Sequence, residues 1–393
     1  MKTLLTFNAG SSTVKIGLFA LRSGAPVRIA RGVIDFHHDP LTLLMNEGEQ
    51  RIEVALETPQ DADLSGILSE TVSVLGRHFD LGEVAAVGHR VVHGGDHFAG
   101  PVRLDVESIA AIEALTVLAP LHQPQSLRLI RAIGNVLPDL PQVASFDTAF
   151  HRTNDALVRR FALPRALHDR GIKRYGFHGL SYKYIATELT RLAPEKAGGK
   201  VVIAHLGSGA SLCGLEKGIS RDTSMGFSTL DGIPMATRCG ALDPGVLLHL
   251  LGQERLALHE VEDLLYHKSG LLGVSGISAD SRYLLDSDAP EAKEAIDLFA
   301  LRIAGEIARL AATLGGLDAV IFTAGVGENQ PAVRAGICDR LGWLGLDLDP
   351  VANAADAPLI STSESRMSAF VIPTDEEQVI AEETVWLLGN AGK

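Results

Sequence analysis

Apolar residues recur along this chain in short runs and in longer stretches with a period near 3.6. Short apolar runs at 84–92 and 319–323 end in loops that contain Gly or His, which is typical of buried β-strands. Helical periodicity occurs at 108–118, 291–314 and 376–388. Strands and helices therefore follow one another along the chain, and the pattern predicts an α/β protein.

One strand pattern occurs twice. Residues 4–18 read LLTFNAGSSTVKIGL and residues 201–215 read VVIAHLGSGASLCGL. Each segment is an apolar run, a turn of Gly and Ser, and a second apolar run, which is typical of a β-hairpin with a small-residue loop. Gly207 lies 197 positions after Gly10, and the same separation relates the other matching residues. A repeat near half the chain length predicts two related domains, joined near residue 150.

Length and charge restrict the possible partners. The chain has 393 residues, of which 46% are hydrophobic and 21% charged, a balance typical of a globular protein with two domains. Its 35 basic and 48 acidic residues give a net charge of −13. This charge disfavours nucleic acid or an anionic membrane surface as the main partner, although a site can be basic locally.

Three further features bear on localisation. The first residues, MKTLLTF, resemble a signal peptide, but Asn8 interrupts the apolar run before it reaches the length of such a segment. No stretch approaches the length of a membrane span. Cys213, Cys239 and Cys338 are widely spaced and odd in number, which disfavours a disulfide framework and a zinc site. We therefore expect a cytoplasmic protein with reduced thiols.

The two hairpin turns are the first candidates for chemistry. Glycine allows backbone N–H groups to approach an anion closely, and Ser or Thr adds hydroxyl donors. The turn at 10–13 alone could be only a tight turn, but its copy at 207–211 favours phosphate binding. Lys15 could add a positive charge, or could be a solvated strand lysine. Two such loops facing each other across a cleft would hold a polyphosphate from both sides.

Further polar loops follow apolar runs. Residues 323–329, TAGVGEN, predict a turn before a helix that suits a nucleotide, although they lack the spaced dinucleotide fingerprint. Five other loops carry His, Arg or Asp, a usual arrangement for catalytic side chains: 88–95, 118–122, 146–151, 174–179 and 235–240. None of the histidine spacings matches a zinc motif.

Taken in order, these segments resemble the acetate kinase family from Asn8 to about Glu377. The similarity rests on eight collinear motifs: NAGSSxxK, GHRVVHGG, LAPLH, FDTAFH, RYGFHG, DTSMGF, TRCG and TDEE. It implies the α/β fold of the actin, Hsp70 and sugar-kinase superfamily, with two duplicated ribonuclease H-like domains around a nucleotide cleft. It implies a first domain of residues 1–148 plus 379–393, onto which the last helix returns, and a second domain of residues 149–378. It also implies a homodimer.

The resemblance implies transfer of the γ-phosphoryl group of ATP to acetate, with Mg²⁺, for which Mn²⁺ can substitute. Arg90 and Arg238 would hold the substrate carboxylate and the phosphoryl group, because the planar guanidinium matches both. His178 would stabilise charge on the phosphoryl group. The implied catalytic residues are Arg90, Asp147, His178 and Arg238. The implied substrate-binding residues are Arg90, Val92, Leu121, His122, Phe177 and Thr229. The implied ATP-binding residues are Lys15, His205, Leu206, Gly207, Ser208, Gly209, Gly325, Val326, Gly327, Glu328 and Asn329. Asn8 and Glu376 would hold the metal, together with Asp147.

Two positions depart from the family pattern. Ser208 stands where the family usually has Asn, so the side chain at this phosphate contact is shorter and the contact is expected to be weaker. Thr229 stands where the family usually has Pro, next to the pocket for the substrate methyl group. Because one methylene is worth only about 1–3 kcal/mol, such a pocket discriminates weakly between acetate and propionate.

Several alternatives remain at this point. A propionate or butyrate kinase of the same family would differ only in pocket size, and a pyrophosphate-dependent relative would not need the loop at 325–329. An Hsp70- or actin-like ATPase that binds proteins would leave Arg90 and Arg238 without a role, and a sugar kinase would use an Asp base. For the carboxylate kinase we expect direct transfer without a phosphoenzyme, because a carboxylate is already a nucleophile at neutral pH.

Overall fold

The computed structural model describes residues 2–10, 13–22, 24–36, 40–48, 50–59 and 63–390. These residues form two compact units. Unit 1 comprises the described residues up to Phe150, the segment Gly179–Tyr184 and the described residues from Asp375 onwards. Unit 2 comprises His151–His178 and Ile185–Thr374. The domain boundaries predicted from the sequence stay a prediction.

Unit 1 is built on one mixed sheet. Its strands are β1 (Thr3–Ala9), β2 (Thr13–Arg22), β3 (Ala25–Asp35), β4 (Thr42–Glu47), β5 (Gln50–Ala55), β6 (Val84–Val91), β7 (Val102–Arg103) and β8 (Gln142–Phe146). Their order in the sheet is β5-β4-β3-β2-β1-β6-β8-β7. Strands β1 to β3 are antiparallel neighbours, whereas β6 is parallel to both β1 and β8.

Unit 2 repeats the central part of this arrangement. Its strands are β9 (Lys200–Leu206), β10 (Ala210–Glu216), β11 (Ile219–Thr223), β12 (Ala319–Thr323) and β13 (Ser368–Val371), in the order β11-β10-β9-β12-β13. Three antiparallel strands are again followed by two parallel ones. The two predicted hairpins are therefore confirmed as β1–β2 and β9–β10. Ser11 and Ser12 of the first turn lie outside the described residues.

Helices flank both sheets. They are α1 (Leu64–His78), α2 (Val106–Ala114), α3 (Gln123–Val136), α4 (Arg165–Asp169), α5 (Gly179–Leu192), α6 (Pro194–Ala197), α7 (Pro244–Gly252), α8 (Leu258–His267), α9 (Gly270–Ser275), α10 (Ser281–Leu285), α11 (Pro290–Leu314), α12 (Ala324–Asn329), α13 (Pro331–Asp339), α14 (Pro350–Ala354) and α15 (Glu376–Asn390). The longest, α11, begins with proline in its first turn, where the missing N–H costs nothing, and ends at Gly315 with φ of 68°.

Most predicted elements are present with small shifts in their ends. The strand at 319–323 is confirmed as β12, and the helices at 291–314 and 376–388 as α11 and α15. The helix predicted at 108–118 is α2 followed by a 3₁₀ turn at Leu115–Leu118. The turn predicted at 323–329 is wrong, because Ala324–Asn329 is helical.

Helix α15 forms part of the core of unit 1. Ala381 packs with Leu4, Phe19 and Ala86 of the sheet. Gly88 makes this close approach possible, because a Cβ there would lie 2.6 Å from side-chain atoms of α15. The first residues of α15 are thereby held beside the central strands of the sheet. Within the described ranges, no helix is long and apolar enough to cross a membrane.

Candidate active site

The carboxyl ends of three parallel strands of unit 1 carry a network of polar side chains. Asn8 is near the end of β1, Arg90 is near the end of β6, and Asp147 directly follows β8. Glu376 and Glu377 begin α15, which packs on these strands. Polar groups at the carboxyl ends of parallel strands meet at one edge of a sheet, the usual position of a binding site in α/β proteins.

Hydrogen bonds join these five side chains. The Asn8 amide donates to Glu376 Oε2 at 2.7 Å and to Glu377 Oε1 at 2.8 Å. Its carbonyl oxygen accepts a bond from Arg90 Nη1 at 3.2 Å. Arg90 also donates from Nε and Nη2 to Asp147 Oδ2, at 3.0 and 2.6 Å. Asn8 thus links the two glutamates to the Arg90–Asp147 ion pair.

Negative charge exceeds positive charge in this network. Burial raises the pKa of Asp147, Arg90 opposes this effect, and the nearby Glu376 adds to it. Burial disfavours the charged form of Arg90, but Asp147, Glu376 and Glu377 outweigh it and raise the pKa of the guanidinium above its ordinary value. Three carboxylates facing one guanidinium would be stabilised by a further cation.

The donor set of this network fits Mg²⁺. Asp147 is fully buried and its Oδ1 atom has no hydrogen-bond partner, so this oxygen can accept from a metal-bound water. No group of three or more His, Cys, Asp or Glu side chains among the described residues could hold an ion directly. Mg²⁺ keeps several waters and uses one or two carboxylates, so a sparse set suits it.

Glu377 belongs to this network, although the sequence patterns did not single it out. It is 4% exposed, and Asn8 contacts it as closely as it contacts Glu376. The motif TDEE contains both acids, so the signal was present in the sequence. Which acid points inward depends on the rotation of α15, which no local pattern determines.

The other predicted residues of unit 1 lie in different surroundings. Lys15 is opposite Asn8 in the β1–β2 ladder and is exposed. His122 precedes α3 and is half-buried. Val92 is buried, whereas Leu121 is 37% exposed. Their roles stay predictions.

Unit 2 holds a second cluster, around the turn of the β9–β10 hairpin. The rings of His178 and His205 stack with their centroids 4.3 Å apart. His178 Nδ1 lies 2.8 Å from Ser211 Oγ. A Cβ on Gly209 would lie 3.5 Å from His178 Nε2 and 3.8 Å from Arg238 Nη1. The side chains of His178 and Arg238 therefore lie on the same side of Gly209, beside the backbone of this turn.

Arg238 is half-buried and has no carboxylate in contact among the residues that the structure describes. Its Nη1 donates to the backbone oxygen of Thr229 at 3.3 Å and lies 3.8 Å from Met235 Sδ. Burial lowers the pKa of Arg238 below its ordinary value. A bound anion would compensate this cost, because an opposite charge favours the ionised guanidinium.

A cavity of about 550 Å³ lies beside this cluster in unit 2. Five predicted ATP-binding residues line it, namely Gly207, Ser208, Gly325, Val326 and Asn329. The other predicted residues of unit 2, His205, Leu206, Gly209, Gly327 and Glu328, lie in β9, in the turn after it and in α12. The cavity is also lined by Asp280, Ser281, Arg282 and Gln330, which were not predicted because no glycine-rich pattern marks them.

Hydrogen bonds stabilise α12 at both ends. Glu328 Oε1 accepts from the N–H of Ala324 at 2.7 Å and from that of Thr374 at 3.0 Å. The fully buried Arg334 donates to the backbone oxygens of Gly327 and Glu328, each at 2.9 Å. These bonds explain why a sequence with two glycines forms a helix here and not the predicted turn.

Phe177 and Thr229, predicted beside the substrate methyl group, are both buried in unit 2. Val92 and Leu121 belong to unit 1. The composition of a methyl pocket from these four residues stays a prediction.

The chain is similar to proteins of one family along its whole length. The profile of the Acetokinase family matches residues 3–382. An acetate kinase of Rhodopseudomonas palustris is 47% identical over 397 residues, which cover 99% of each protein. A propionate kinase structure from Francisella tularensis superposes with a TM-score of 0.90 at 34% identity, covering 98% of this chain and 99% of that one. An acetate kinase structure from Porphyromonas gingivalis gives a TM-score of 0.87 at 34% identity, covering 99% and 100%. These likenesses confirm the predicted fold class, the duplicated α/β fold of the actin, Hsp70 and sugar-kinase superfamily. The chain therefore belongs to the Acetokinase family.

Proposed function

We propose that this chain is an acetate kinase that transfers the γ-phosphoryl group of ATP to acetate, reversibly, giving acetyl phosphate and ADP. The observation that carries the proposal is Arg238, a half-buried guanidinium without a carboxylate partner in the described part of the chain. It lies next to His178 and to the open backbone at Gly209. Such a cation is suited to a substrate that brings its own negative charge.

The chemistry requires positioning and charge neutralisation. An acetate oxygen attacks the γ-phosphorus of ATP, the bond from that phosphorus to the β,γ-bridging oxygen breaks, and ADP leaves. Negative charge on the oxygens of the transferring group is neutralised by Arg238 and by a hydrogen bond from His178. No general base is needed, because acetate is ionised at neutral pH. We expect no phosphoenzyme, and a phosphoenzyme that transfers to acetate in a chase experiment would contradict direct transfer.

The unit 1 network supports binding of Mg²⁺, or Mn²⁺ in its place. Asp147 and Glu376 would hold the ion through its water molecules, and Asn8 would orient Glu376. When bound, the ion neutralises charge on the phosphate oxygens of ATP. Arg90 orients Asp147 through its two hydrogen bonds and opposes the rise in the pKa of Asp147 that burial causes. We further assign to Arg90 the binding of the acetate carboxylate, together with the substrate residues named above.

The unit 2 cavity supports binding of the adenosine part of ATP. Its volume of about 550 Å³ falls in the range of small-ligand pockets. Its lining includes Gly325 and Asn329 of α12 and Gly207 and Ser208 of the hairpin turn. This cavity favours ATP over pyrophosphate as the phosphoryl donor.

Propionate is the second candidate substrate, because the Francisella tularensis neighbour is a propionate kinase. The deciding experiment measures initial rates of acyl phosphate formation with ATP and Mg²⁺ for acetate, propionate and butyrate. We expect the highest kcat/KM for acetate. A preference for propionate would keep the reaction and change the substrate.

The same assay gives the control for the reaction type. Arg238→Ala should form acyl phosphate far more slowly than the wild type. ATP hydrolysis that does not depend on any carboxylate would refute the kinase proposal and favour an ATPase.

A homodimer is part of the proposal. Helix α7 and its neighbours expose Leu242, Val246, Leu248, Leu251 and Leu258, of which Leu248 is 71% and Leu258 74% exposed. No residue of α7 is buried. An apolar surface of this kind would be covered by a second copy of the chain. Sedimentation at micromolar concentration should give a dimer, and Leu248→Glu should shift it to monomer.

We also propose a cytoplasmic location without nucleic acid or membrane partners. The net charge of −13 supports the second point. All three cysteines are free thiols, two of them buried, which supports a reducing compartment.

A further inference from the structure

His151 is buried in unit 2 and makes hydrogen bonds from both ring nitrogens. It is 1% exposed. Its Nε2 lies 2.9 Å from the backbone oxygen of Phe177. A carbonyl oxygen only accepts, so Nε2 carries a hydrogen and donates it. Burial lowers the pKa of His151 to about 4, so at pH 7 the ring is neutral and its single proton is on Nε2.

The other nitrogen of His151 faces a small polar cluster. Nδ1 lies 2.9 Å from Ser220 Oγ, which is 2.9 Å from the amide of Asn154 and 3.3 Å from Cys213 Sγ. With Nε2 protonated, Nδ1 can only accept, and the one hydroxyl hydrogen of Ser220 is shared between Nδ1 and Asn154 Oδ1. The carbonyl oxygen of Phe177 therefore fixes the tautomer of His151, with the proton on Nε2.

The bond to Phe177 acts on the backbone just before His178. The oxygen of Phe177 and the nitrogen of His178 share one peptide plane. His178 has φ of 55°, in the left-handed region that few residues other than glycine adopt. Gly176 packs against the face of the His151 ring, where a Cβ would lie 2.5 Å from Cδ2. His151 thus holds the segment before His178 by a hydrogen bond and by contact.

The direction of the His178 ring depends on this backbone. Its Nδ1 lies 2.8 Å from Ser211 Oγ, and its Nε2 faces the space beside Gly209 and Arg238. Rotation of the 177–178 peptide plane would move Nε2 away from that space. Misplacement of a catalytic group by about 1 Å can cost about 100-fold in rate.

We propose that His151 is a positioning residue that fixes His178 in its left-handed conformation, so that His178 Nε2 faces the transferring phosphoryl group. The proposal rests on the proposed function and names a residue for the same reaction. His151 acts through the Phe177 carbonyl and through its contact with Gly176.

Three substitutions at His151 separate its contacts. His151→Phe keeps the ring volume and removes both hydrogen bonds. His151→Asn places an amide near the position of Nδ1 and does not reach Phe177. His151→Gln places an amide nitrogen near the position of Nε2 and can donate to Phe177. We expect kcat for acetyl phosphate formation to fall about 30-fold in His151→Phe and His151→Asn, by the cost of misplacement. We expect the KM for ATP to change less than twofold, and His151→Gln to recover most of kcat.

Ser220→Ala is the matched control. It removes the bond at Nδ1 and leaves the bond from Nε2 to Phe177. It should lower the melting temperature and leave kcat within about twofold of the wild type. If Ser220→Ala reduces kcat as strongly as His151→Phe, the effect is a general loosening of the core and the proposal is overturned.

A double-mutant cycle tests whether His151 acts through His178. Adding His151→Phe to His178→Ala should lower kcat by less than twofold, because the group to be positioned is absent. A 30-fold loss in both backgrounds would overturn this inference and leave the proposed function intact. Absence of acetyl phosphate formation in the wild type would overturn the proposed function, and this inference with it. If His151→Phe does not fold, the comparison of His151→Asn with His151→Gln gives the same decision.

Discussion

Arg90 and Arg238 are the same residue type in opposite surroundings. The guanidinium of Arg90 donates twice to Asp147 and once to Asn8, and three carboxylates raise its pKa. Among the described residues, the guanidinium of Arg238 donates to a backbone oxygen and lies near a thioether, and burial lowers its pKa. The charge of Arg90 is thus compensated by carboxylates of the protein, whereas Arg238 has no carboxylate in contact among the residues that the structure describes. A half-buried cation without an ionic partner costs stability, which supports the proposal that Arg238 binds an anionic ligand.

A second difference between the units occurs at equivalent positions of the repeated hairpin. His205 lies 197 positions after Asn8, and each is the penultimate residue of its central strand. Asn8 organises carboxylates, whereas His205 stacks on His178 beside Arg238. Under the proposed function, one topology would therefore carry a site for cations in unit 1 and a site for anions in unit 2.

The largest expected effect is on turnover in Arg238→Ala. We expect kcat to fall by about 100- to 1,000-fold, the usual cost of removing one donor that stabilises developing charge. The dissociation constant for ATP, measured by calorimetry, should change less than about threefold. Arg238→Lys should recover part of kcat, because an ammonium supplies charge without the planar pair of donors. Wild-type turnover in Arg238→Ala would contradict its role.

The second prediction concerns stability and separates the two arginines directly. Arg90→Met should lower the free energy of unfolding by about 3 kcal/mol, because it leaves buried carboxylates without their cation. Arg238→Met should leave it unchanged or raise it, because a buried cation without an ionic partner is removed. Urea titrations at pH 7.5 measure both.

A control for this comparison is its pH dependence. In Arg90→Met the pKa of Asp147 in the folded state should rise further above its value in the unfolded state. The free energy of unfolding of the variant should therefore be highest below the unfolded pKa of Asp147 and should fall as the pH rises through the folded pKa. The deficit should therefore shrink between pH 7.5 and pH 5. Equal losses in Arg90→Met and Arg238→Met at every pH would show that the two surroundings do not differ energetically.

The third prediction concerns His89, the neighbour of Arg90 in β6. Strand alternation places it on the opposite face of the sheet, where it is fully buried, stacks on Phe7 and lies 2.7 Å from Gln142 Oε1. Burial lowers its pKa from 6.5 to about 4. The unfolded state therefore binds a proton at a higher pH than the folded state does. The contribution of neutral His89 to the free energy of unfolding is therefore complete above pH 6.5. It is lost as the pH falls towards 4, by up to about 3 kcal/mol.

His89→Gln should reduce the slope of the free energy of unfolding against pH by about 1.4 kcal/mol per pH unit between pH 6.5 and 4.5, because one titrating group is removed. The control is the same substitution at an exposed histidine of α8, His259→Gln, which shows the effect of replacing His by Gln outside the core. The measurement is the free energy of unfolding across this range. An unchanged slope in His89→Gln would mean that the folded protein admits the proton at this site.

Much of this arrangement could be predicted from the sequence because it depends on local and repeated patterns. The two hairpins follow from alternating apolar runs around small residues, and α11 follows from sustained helical periodicity. The strand ends that carry Asn8, Arg90 and Asp147 follow from polar residues directly after apolar runs. These features need no knowledge of the tertiary fold.

The rest depends on contacts between residues distant in sequence. The sequence at α12 contains two glycines and favours a turn, but Arg334 bonds to its last carbonyl oxygens and Glu328 to its first N–H group. Such bonds override weak local preferences. The inward orientation of Glu377 depends on how α15 packs against the sheet, so no local pattern could separate it from Glu376.

The smallest expected effect is on substrate preference, through Thr229. Arg238 donates to the backbone oxygen of Thr229 and not to its side chain, so Thr229→Ala should leave Arg238 in place. The substitution removes the hydroxyl and the γ-methyl group from a buried position and leaves only the Cβ atom. We expect kcat for acetate to change less than twofold and the ratio of kcat/KM for propionate to that for acetate to rise about threefold, within the limit set by one methylene. The reciprocal variant, Thr229→Val, should lower the ratio. A large loss of kcat in Thr229→Ala with no change in the ratio of the two kcat/KM values would contradict this prediction. It would mean that Thr229 positions Arg238 and does not determine the preference between acetate and propionate.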